Sequence, residues 1–285
     1  MIKVENLNFL YQKGMPGEER VLHDINLEIQ DGDIVAIIGH TGSGKSTLIQ
    51  HFNALIKPTS GKITINGIDI TDPKTDLREI RKKVGMVFQY PEYQLFEETV
   101  FRDIAFGPKN MGLSDEEIEA RVFEAMELVG LSRELAERSP FELSGGQKRR
   151  VAIAGVLSMK PEILILDEPS AGLDPHGRDS LLKRIEALSK NTNITVIFVS
   201  HSMEEVARLA KSVIVMNDGE VYATGSVAEI FELGYELQKI GLNIPQVTQL
   251  TLKLSEKGID IRPDIYTVDF AKDTLLELLK RKELI

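Results

Sequence analysis

The rhythm of apolar and polar positions changes along the chain. The first third alternates. "INLEIQDGDIVAIIG", residues 25–39, gives two strand-like runs on either side of Asp31–Gly32, a turn dipeptide. In "KITINGIDI", residues 62–70, Ile63 and Ile65 alternate before Asn66–Gly67, and Ile68 and Ile70 after it. That spacing predicts a hairpin whose central residues suit positive φ. "VGMVFQ", residues 84–89, is another apolar run, ending on the polar Gln89. The middle of the chain turns helical. Ser114 precedes Asp115, Glu116 and Glu117, so it predicts an N-cap with Glu117 reaching back. Ile118, Val122, Ala125 and Val129 follow at helical spacing. Residues from about 92 to 160 read as a helical insert between strands. Buried-strand runs then return in "EILILDE", 162–168, and "NITVIFVSH", 193–201. Between them Asp174 and Pro175 start a helix expected to reach about Lys190. "SVIVMNDGEVYATG", 212–225, reads as a closing hairpin, and 226–285 as helices and loops that the core does not need.

Composition narrows the classes. The 285 residues suit one or two domains, and 42% hydrophobic with 27% charged residues is a globular profile. The net charge of -10 argues against a nucleic-acid partner. With no cysteine, disulfide and thiol chemistry are excluded. No apolar run approaches the roughly 18 to 20 residues that span a bilayer, and "MIKVENLNFLY" lacks an apolar signal core. The expectation is a chain that neither crosses a membrane nor carries a signal peptide, yet is able to bind a membrane protein.

The sharpest chemical signal is "GHTGSGKST". Gly39 to Ser46 fits G-x-x-x-x-G-K-[ST], follows the strand "DIVAIIG" and opens the helix "KSTLIQHFNAL". Glycines let the backbone curl around a triphosphate with its N–H groups inward, and the helix dipole adds favourable potential. Gly39, His40, Thr41, Gly42, Ser43, Gly44, Lys45, Ser46 and Thr47 are therefore the candidate phosphate loop. Lys45 is expected to reach the β- and γ-phosphates, and the Ser46 hydroxyl to ligate Mg²⁺. "ILILDE", 163–168, delivers Asp167 to the Mg²⁺ side and places Glu168 where it can polarise a water in line with the γ-phosphate. ATP and Mg²⁺ are the expected cofactors.

"LSGGQ", residues 143–147, lies between these motifs and leads into the helical "KRRVAIAGVLSM". With Gln89 after a strand, "SAGLD" at 170–174 and His201 ending "TVIFVSH", the order resembles the ATP-binding-cassette (ABC) ATPases across residues 1 to about 225. The resemblance implies an α/β fold: a P-loop ATPase core with mixed sheet, an antiparallel β subdomain, the helical insert at about 92–160, and a carboxyl-terminal extension, 226–285, that could serve dimerisation. It implies two cassettes head to tail with two ATP molecules between them. Ser144, Gly145, Gly146 and Gln147 would then bind the γ-phosphate held by the partner's loop. Glu168 would be the general base, His201 would contact the γ-phosphate, Gln89 would sense Mg²⁺ and the attacking water, and Asp174 would run along the dimer interface. Tyr11 is the candidate to stack on adenine. Phe9, two residues earlier on the same strand face, competes, and both rings also fit a core or edge role. Residues 13–20, "KGMPGEER", lengthen the loop after Tyr11.

Residues 89–113, "QYPEYQLFEETVFRDIAFGPKNMGL", resemble the segment after the glutamine in ATPase subunits of energy-coupling factor (ECF) importers for vitamins or metal ions. The long loop near residue 15 and the carboxyl-terminal region resemble the second of that class's two A-type ATPases. Its implied partners are a related ATP-binding subunit (or a second copy), a transmembrane coupling subunit and a substrate-binding membrane subunit, at the cytoplasmic face of the membrane. Glu92, Glu97, Glu98 and Asp103, among Leu95, Phe96, Val100 and Phe101, suggest an apolar and acidic docking surface. Ser170 departs from the more common threonine. The alternatives are the ATPase of an ordinary ABC importer, and a soluble cassette protein of translation or DNA repair. The single cassette, short insert and acidic balance weigh against the second.

Overall fold

The computed structural model describes residues 1–262 and 264–281. Two sheets organise them. A four-stranded antiparallel sheet is built from β1 (Ile2–Tyr11), β2 (Glu19–Ile29), β4 (Ser60–Ile65) and β5 (Ile68–Asp69), in the order β2-β1-β4-β5. A six-stranded sheet takes β3 (Ile34–Gly39), β6 (Val84–Val87), β7 (Ile163–Asp167), β8 (Thr195–Val199), β9 (Ser212–Asn217) and β10 (Glu220–Ser226), in the order β10-β9-β3-β8-β7-β6. Its pairs are parallel except β9–β10, so it is the expected mixed sheet. The helices are α1 (Lys45–Phe52), α2 (Leu77–Lys83), α3 (Val100–Asn110), α4 (Asp115–Val129), α5 (Gly145–Leu157), α6 (Pro175–Thr192), α7 (Met203–Leu209), α8 (Val227–Glu232), α9 (Gly234–Lys239), α10 (Gln246–Glu256) and α11 (Val268–Arg281).

The unbroken apolar runs of the six-stranded sheet have a layered cause. On β7, Ile163 and Ile165 face a core shared with the antiparallel sheet and with Leu48, Ile49 and Phe52 of α1. Leu164 and Leu166 face the opposite core, filled by α3 to α6. A strand covered on both sides needs no polar face. These covered strands carry the phosphate loop and the Asp167–Glu168 pair to the same carboxyl-terminal edge, where open α/β sheets place ligands.

The structure corrects several local expectations. The runs flanking Asp31–Gly32 are not a hairpin: β2 pairs with β1 and β3 with β8 and β9, so this turn joins two sheets. The hairpin at Asn66–Gly67 does form, with Asn66 at φ 47°, but its second arm is short and Ile68 is exposed. Ser114 caps α4 by accepting from the Glu117 N–H. The Glu117 carboxylate does not reach back; it accepts instead from Arg121, one turn along its own helix. Reciprocal boxes form instead at Ser144–Gln147 and Ser226–Glu229. Finally, the region after 226 is not dispensable to the core. Val227, Ile230, Phe231, Leu237, Leu242 and Ile244 are buried in the main cluster, because the short helices α8 and α9 turn their apolar sides onto it and the segment after α9 adds Leu242 and Ile244.

Candidate functional site

The phosphate loop is shaped by close approach. At Gly39, where β3 ends, a Cβ would lie 2.4 Å from both the Met216 carbonyl and the Ser43 hydroxyl, so only glycine fits. Gly44 has φ 95° as the backbone turns into α1. The Lys45 side chain is buried, and its ammonium donates to the carbonyls of Gly39 (2.9 Å) and His40 (2.8 Å). Burial pulls its pKa down, opposed by the charges of Glu168 and Asp167. Thr41 and Gly42 are exposed, and His40 Nε2 lies 3.3 Å from Asp218 in the β9–β10 turn. Ser46 is exposed at the start of α1. Burial raises the Asp167 pKa, and the neighbouring Ser46 hydroxyl and the Lys45 charge work against that rise.

Glu168 follows immediately, with φ 48°, a left-handed backbone that a non-glycine residue adopts at a cost. Its N–H donates to Val199 (3.1 Å), and its carbonyl accepts from Ala171 (3.1 Å). The carboxylate is held from both sides. Gln89 Nε2 donates to Oε2 at 2.9 Å, and His201 Nε2 lies 3.0 Å from Oε1. The three side chains come from the ends of β6, β7 and β8, adjacent strands of one sheet.

Tyr11 ends β1 exposed, with its hydroxyl 3.3 Å from the Thr47 hydroxyl on α1. Phe9 is buried edge-on between Tyr11 and His51, at ring separations of 4.7 and 4.9 Å. The two rings therefore divide the work: Phe9 is core, and Tyr11 is the accessible aromatic beside the loop.

The remaining expected residues stand apart. Ser144 caps α5: its hydroxyl accepts from the Gln147 N–H (3.4 Å), and the Gln147 amide oxygen accepts from the Ser144 N–H (3.0 Å). Nothing within 4 Å would meet a Cβ at Gly145 or Gly146. Asp174 caps α6 through the Gly177 N–H (2.8 Å). Among the described residues, no hydrogen bond joins 144–147 or Asp174 to the phosphate loop. Both motifs present their small or acidic groups outward from helix N-termini.

Two positioning groups escaped the sequence reading. Glu205 is buried on α7 and accepts from Ser170 (2.6 Å) and Ser200 (2.9 Å), with Arg178 at 3.3 Å. It thus ties the chain after Glu168 to the residue before His201. The hydroxyl that serine and threonine share is the group used, so the departure at Ser170 keeps this bond. The other is Arg149, buried on α5. A glutamate or arginine on a helix reads from sequence as solvated, and only the fold shows these two inside.

The expected acidic docking surface is largely engaged internally. Glu92 turns inward to Arg149, and Glu98 pairs with Arg102. Asp103, its pKa raised by burial, accepts from the N–H groups of Phe96 (3.1 Å) and Glu97 (3.0 Å). Leu95 and Val100 are core. What remains is a groove of about 640 Å³ between α2, α3 and α5, apolar at Phe96, Phe106 and Met159 and rimmed by Arg78, Arg81 and Lys82. The Phe96 and Phe106 rings meet edge to face at 5.0 Å, and both are exposed.

Fold and site together define a P-loop nucleoside triphosphatase. The ABC transporter family profile matches residues 22–171. The energy-coupling factor transporter ATP-binding protein EcfA2 of Caldanaerobacter subterraneus subsp. tengcongensis is 58% identical over 98% of both chains. Its counterpart in Clostridium perfringens is 57% identical over 98% of each. Among solved structures, cbiO1 of Clostridium perfringens, part of the ABC transporter complex cbiONQ, superposes with a TM-score of 0.75 at 38% identity, covering 90% of this chain and 96% of that one. The dimeric cassette MJ0796 bound to ADP and Pi gives 0.71 at 32% identity, over 80% of this chain and 99% of that one. The chain belongs to the ABC transporter family, as an ATP-binding, ATP-hydrolysing transporter subunit. Among the described residues no helix is long and apolar enough to cross a membrane.

Proposed function

We propose that this chain is the motor ATPase of an ECF-type importer for vitamins or metal ions, working at the cytoplasmic face of the membrane in a head-to-tail pair with a related ATP-binding subunit. The observation that carries this reading is the apolar groove whose wall, Gln94 to Phe96, begins five residues after Gln89. A helix of a transmembrane coupling subunit would lie in it, so that a change at Glu168 moves Gln89, and Gln89 moves the groove. A substrate-binding membrane subunit would complete the importer. The match to EcfA2 proteins across nearly the whole chain supports the same assignment.

In this reading the loop 39–47 binds the triphosphate through backbone N–H groups and Lys45, and Tyr11 stacks on the base. The Ser46 hydroxyl, the Asp167 carboxylate and the Gln89 amide oxygen are hard oxygen donors, a set that suits Mg²⁺. The Gln89 NH₂ is turned to Glu168, which leaves its oxygen for the metal. When bound, Mg²⁺ supplies charge neutralisation at the phosphates. Glu168 accepts a proton from the attacking water, and His201 holds that carboxylate and contacts the γ-phosphate. Ser144 to Gln147 and Asp174, which face outward here, would meet the partner's nucleotide. Residues 226–285 would add a dimer contact, supported by the exposed Leu250, Leu276 and Leu279.

The test is to purify the tagged chain from detergent-solubilised membranes and identify its companions. A second cassette with two membrane subunits is expected. A chain recovered only with ribosomes or DNA would overturn the proposal.

A further inference from the structure

We propose that Arg149 is a positioning residue for ATP hydrolysis, holding the loop after Glu168 and the segment after Gln89 with one guanidinium. Its side chain is 3% exposed and forks in two directions. Nε and Nη2 donate to the two oxygens of Glu92 at 3.1 and 2.9 Å. Nη1 donates to the Pro169 carbonyl at 3.1 Å and to the Ala171 carbonyl. Two edges of the guanidinium are used: Nε and Nη2 on a bidentate carboxylate, and Nη1 on two backbone carbonyls. Lysine has no such fork.

What these contacts hold explains why they matter. Pro169 is the residue after Glu168, and the Ala171 N–H donates back to the Glu168 carbonyl. The left-handed backbone at Glu168 needs its neighbours to hold it, and Arg149 grips the turn that does so. Glu92 sits in the 3₁₀ turn Pro91–Gln94, three residues after Gln89, whose amide bonds the same carboxylate. The two chain segments that converge on Glu168 thus share an anchor on α5, the helix that opens with Ser144. A buried ion pair is weak grounds for stability, since well-packed apolar residues often replace one without loss. Its value here is geometric: a misplacement of about 1 Å in a catalytic group can cost on the order of 100-fold in rate.

The test uses the purified protein with Glu92→Gln, Arg149→Lys and Arg149→Ala. Three quantities are read: kcat for ATP hydrolysis, Kd for ATP, and amide hydrogen exchange by segment. The expected result is a fall in kcat of roughly tenfold or more with Kd changed by less than about threefold, a split that marks lost transition-state geometry. Exchange should rise together at 90–95 and 169–173, while 163–167 stays protected. Arg149→Lys should not restore kcat. Glu92→Gln combined with Arg149→Ala should cost less than the sum of the two. If Arg149→Ala does not fold, Glu92→Gln, which keeps the shape and removes only the charge, carries the test. A kcat within about twofold of the parent in Glu92→Gln and Arg149→Lys overturns the proposal. So does a kcat that falls only in step with Kd while exchange at 169–173 is unchanged.

Discussion

His201 Nε2 lies 3.0 Å from Oε1 of Glu168, across a strand end from the Gln89 amide that holds Oε2. The imidazole therefore fixes the orientation of the carboxylate. His201→Ala removes that restraint and leaves the phosphate loop untouched. ATP hydrolysis should fall on the order of 100-fold, the scale of a lost acid–base partner, with ATP affinity held within a few-fold. Steady-state hydrolysis and equilibrium ATP binding measure the two separately. A loss of binding equal to the loss of rate would place His201 in substrate binding instead.

Ser144 is bonded within its own helix and faces solvent, and in the proposed reading it meets the nucleotide of a partner. Ser144→Arg should spare ATP binding to the isolated subunit and block hydrolysis by the pair. The change also removes an N-cap, worth about 1 kcal/mol, so a slightly lower melting temperature is expected of a chain that still folds. Binding much weaker than in the parent subunit would mean that the signature acts on its own loop.

The docking groove makes a prediction that separates rings from acids. Phe96 is 58% exposed, so Phe96→Asp should leave folding and ATP binding intact. It places a charge on the apolar wall and should abolish pull-down of the coupling subunit from detergent. Glu98→Lys should matter little, because Glu98 sits in the exposed bend before α3, paired with Arg102 at the surface, and such exposed pairs contribute about 0.2 to 1 kcal/mol. If Glu98→Lys blocks assembly and Phe96→Asp does not, the acidic surface expected from the sequence is the true contact.

His51 sets an acid limit on stability. It is fully buried, donates Nδ1–H to the Thr47 carbonyl at 2.8 Å, and has no partner for Nε2 among the described residues. Burial lowers its pKa to about 4 from an ordinary 6.5. The unfolded chain then binds a proton at a pH where the folded chain does not. This contribution is full above pH ~6.5 and is lost as pH falls toward 4, by about 3 kcal/mol at most. Urea unfolding of parent and His51→Gln across that range should show the slope in the parent and a flatter curve in the variant. Equal slopes would assign the acid sensitivity to carboxylates.

The strand-end chemistry was legible because each motif is contiguous. Lys45, Asp167, Glu168 and His201 each end an apolar run or open a helix, and parallel strands carry such ends to one edge. The hairpin at Asn66–Gly67 was legible for the same local reason. Longer-range facts were not. The turn at Asp31–Gly32 fits a hairpin and a crossing between sheets equally well, and the change from the alternating β2 to the unbroken apolar run of β3 is the single local sign that they belong to different sheets. Glu92 and Arg149 are 57 residues apart, and each looks solvated alone. The burial of Phe231 depended on a helix packing that periodicity over six residues cannot reveal.

The central claim is that Glu168, held between Gln89 and His201, activates water at a phosphate site that binds ATP without it. The direct measurement is Glu168→Gln in the purified complex, with bound nucleotide analysed after incubation with ATP. The account predicts hydrolysis reduced on the order of 100-fold or more, ATP affinity within a few-fold of the parent, and ATP rather than ADP recovered from the protein. Near-normal turnover, or ADP as the recovered nucleotide, would contradict it.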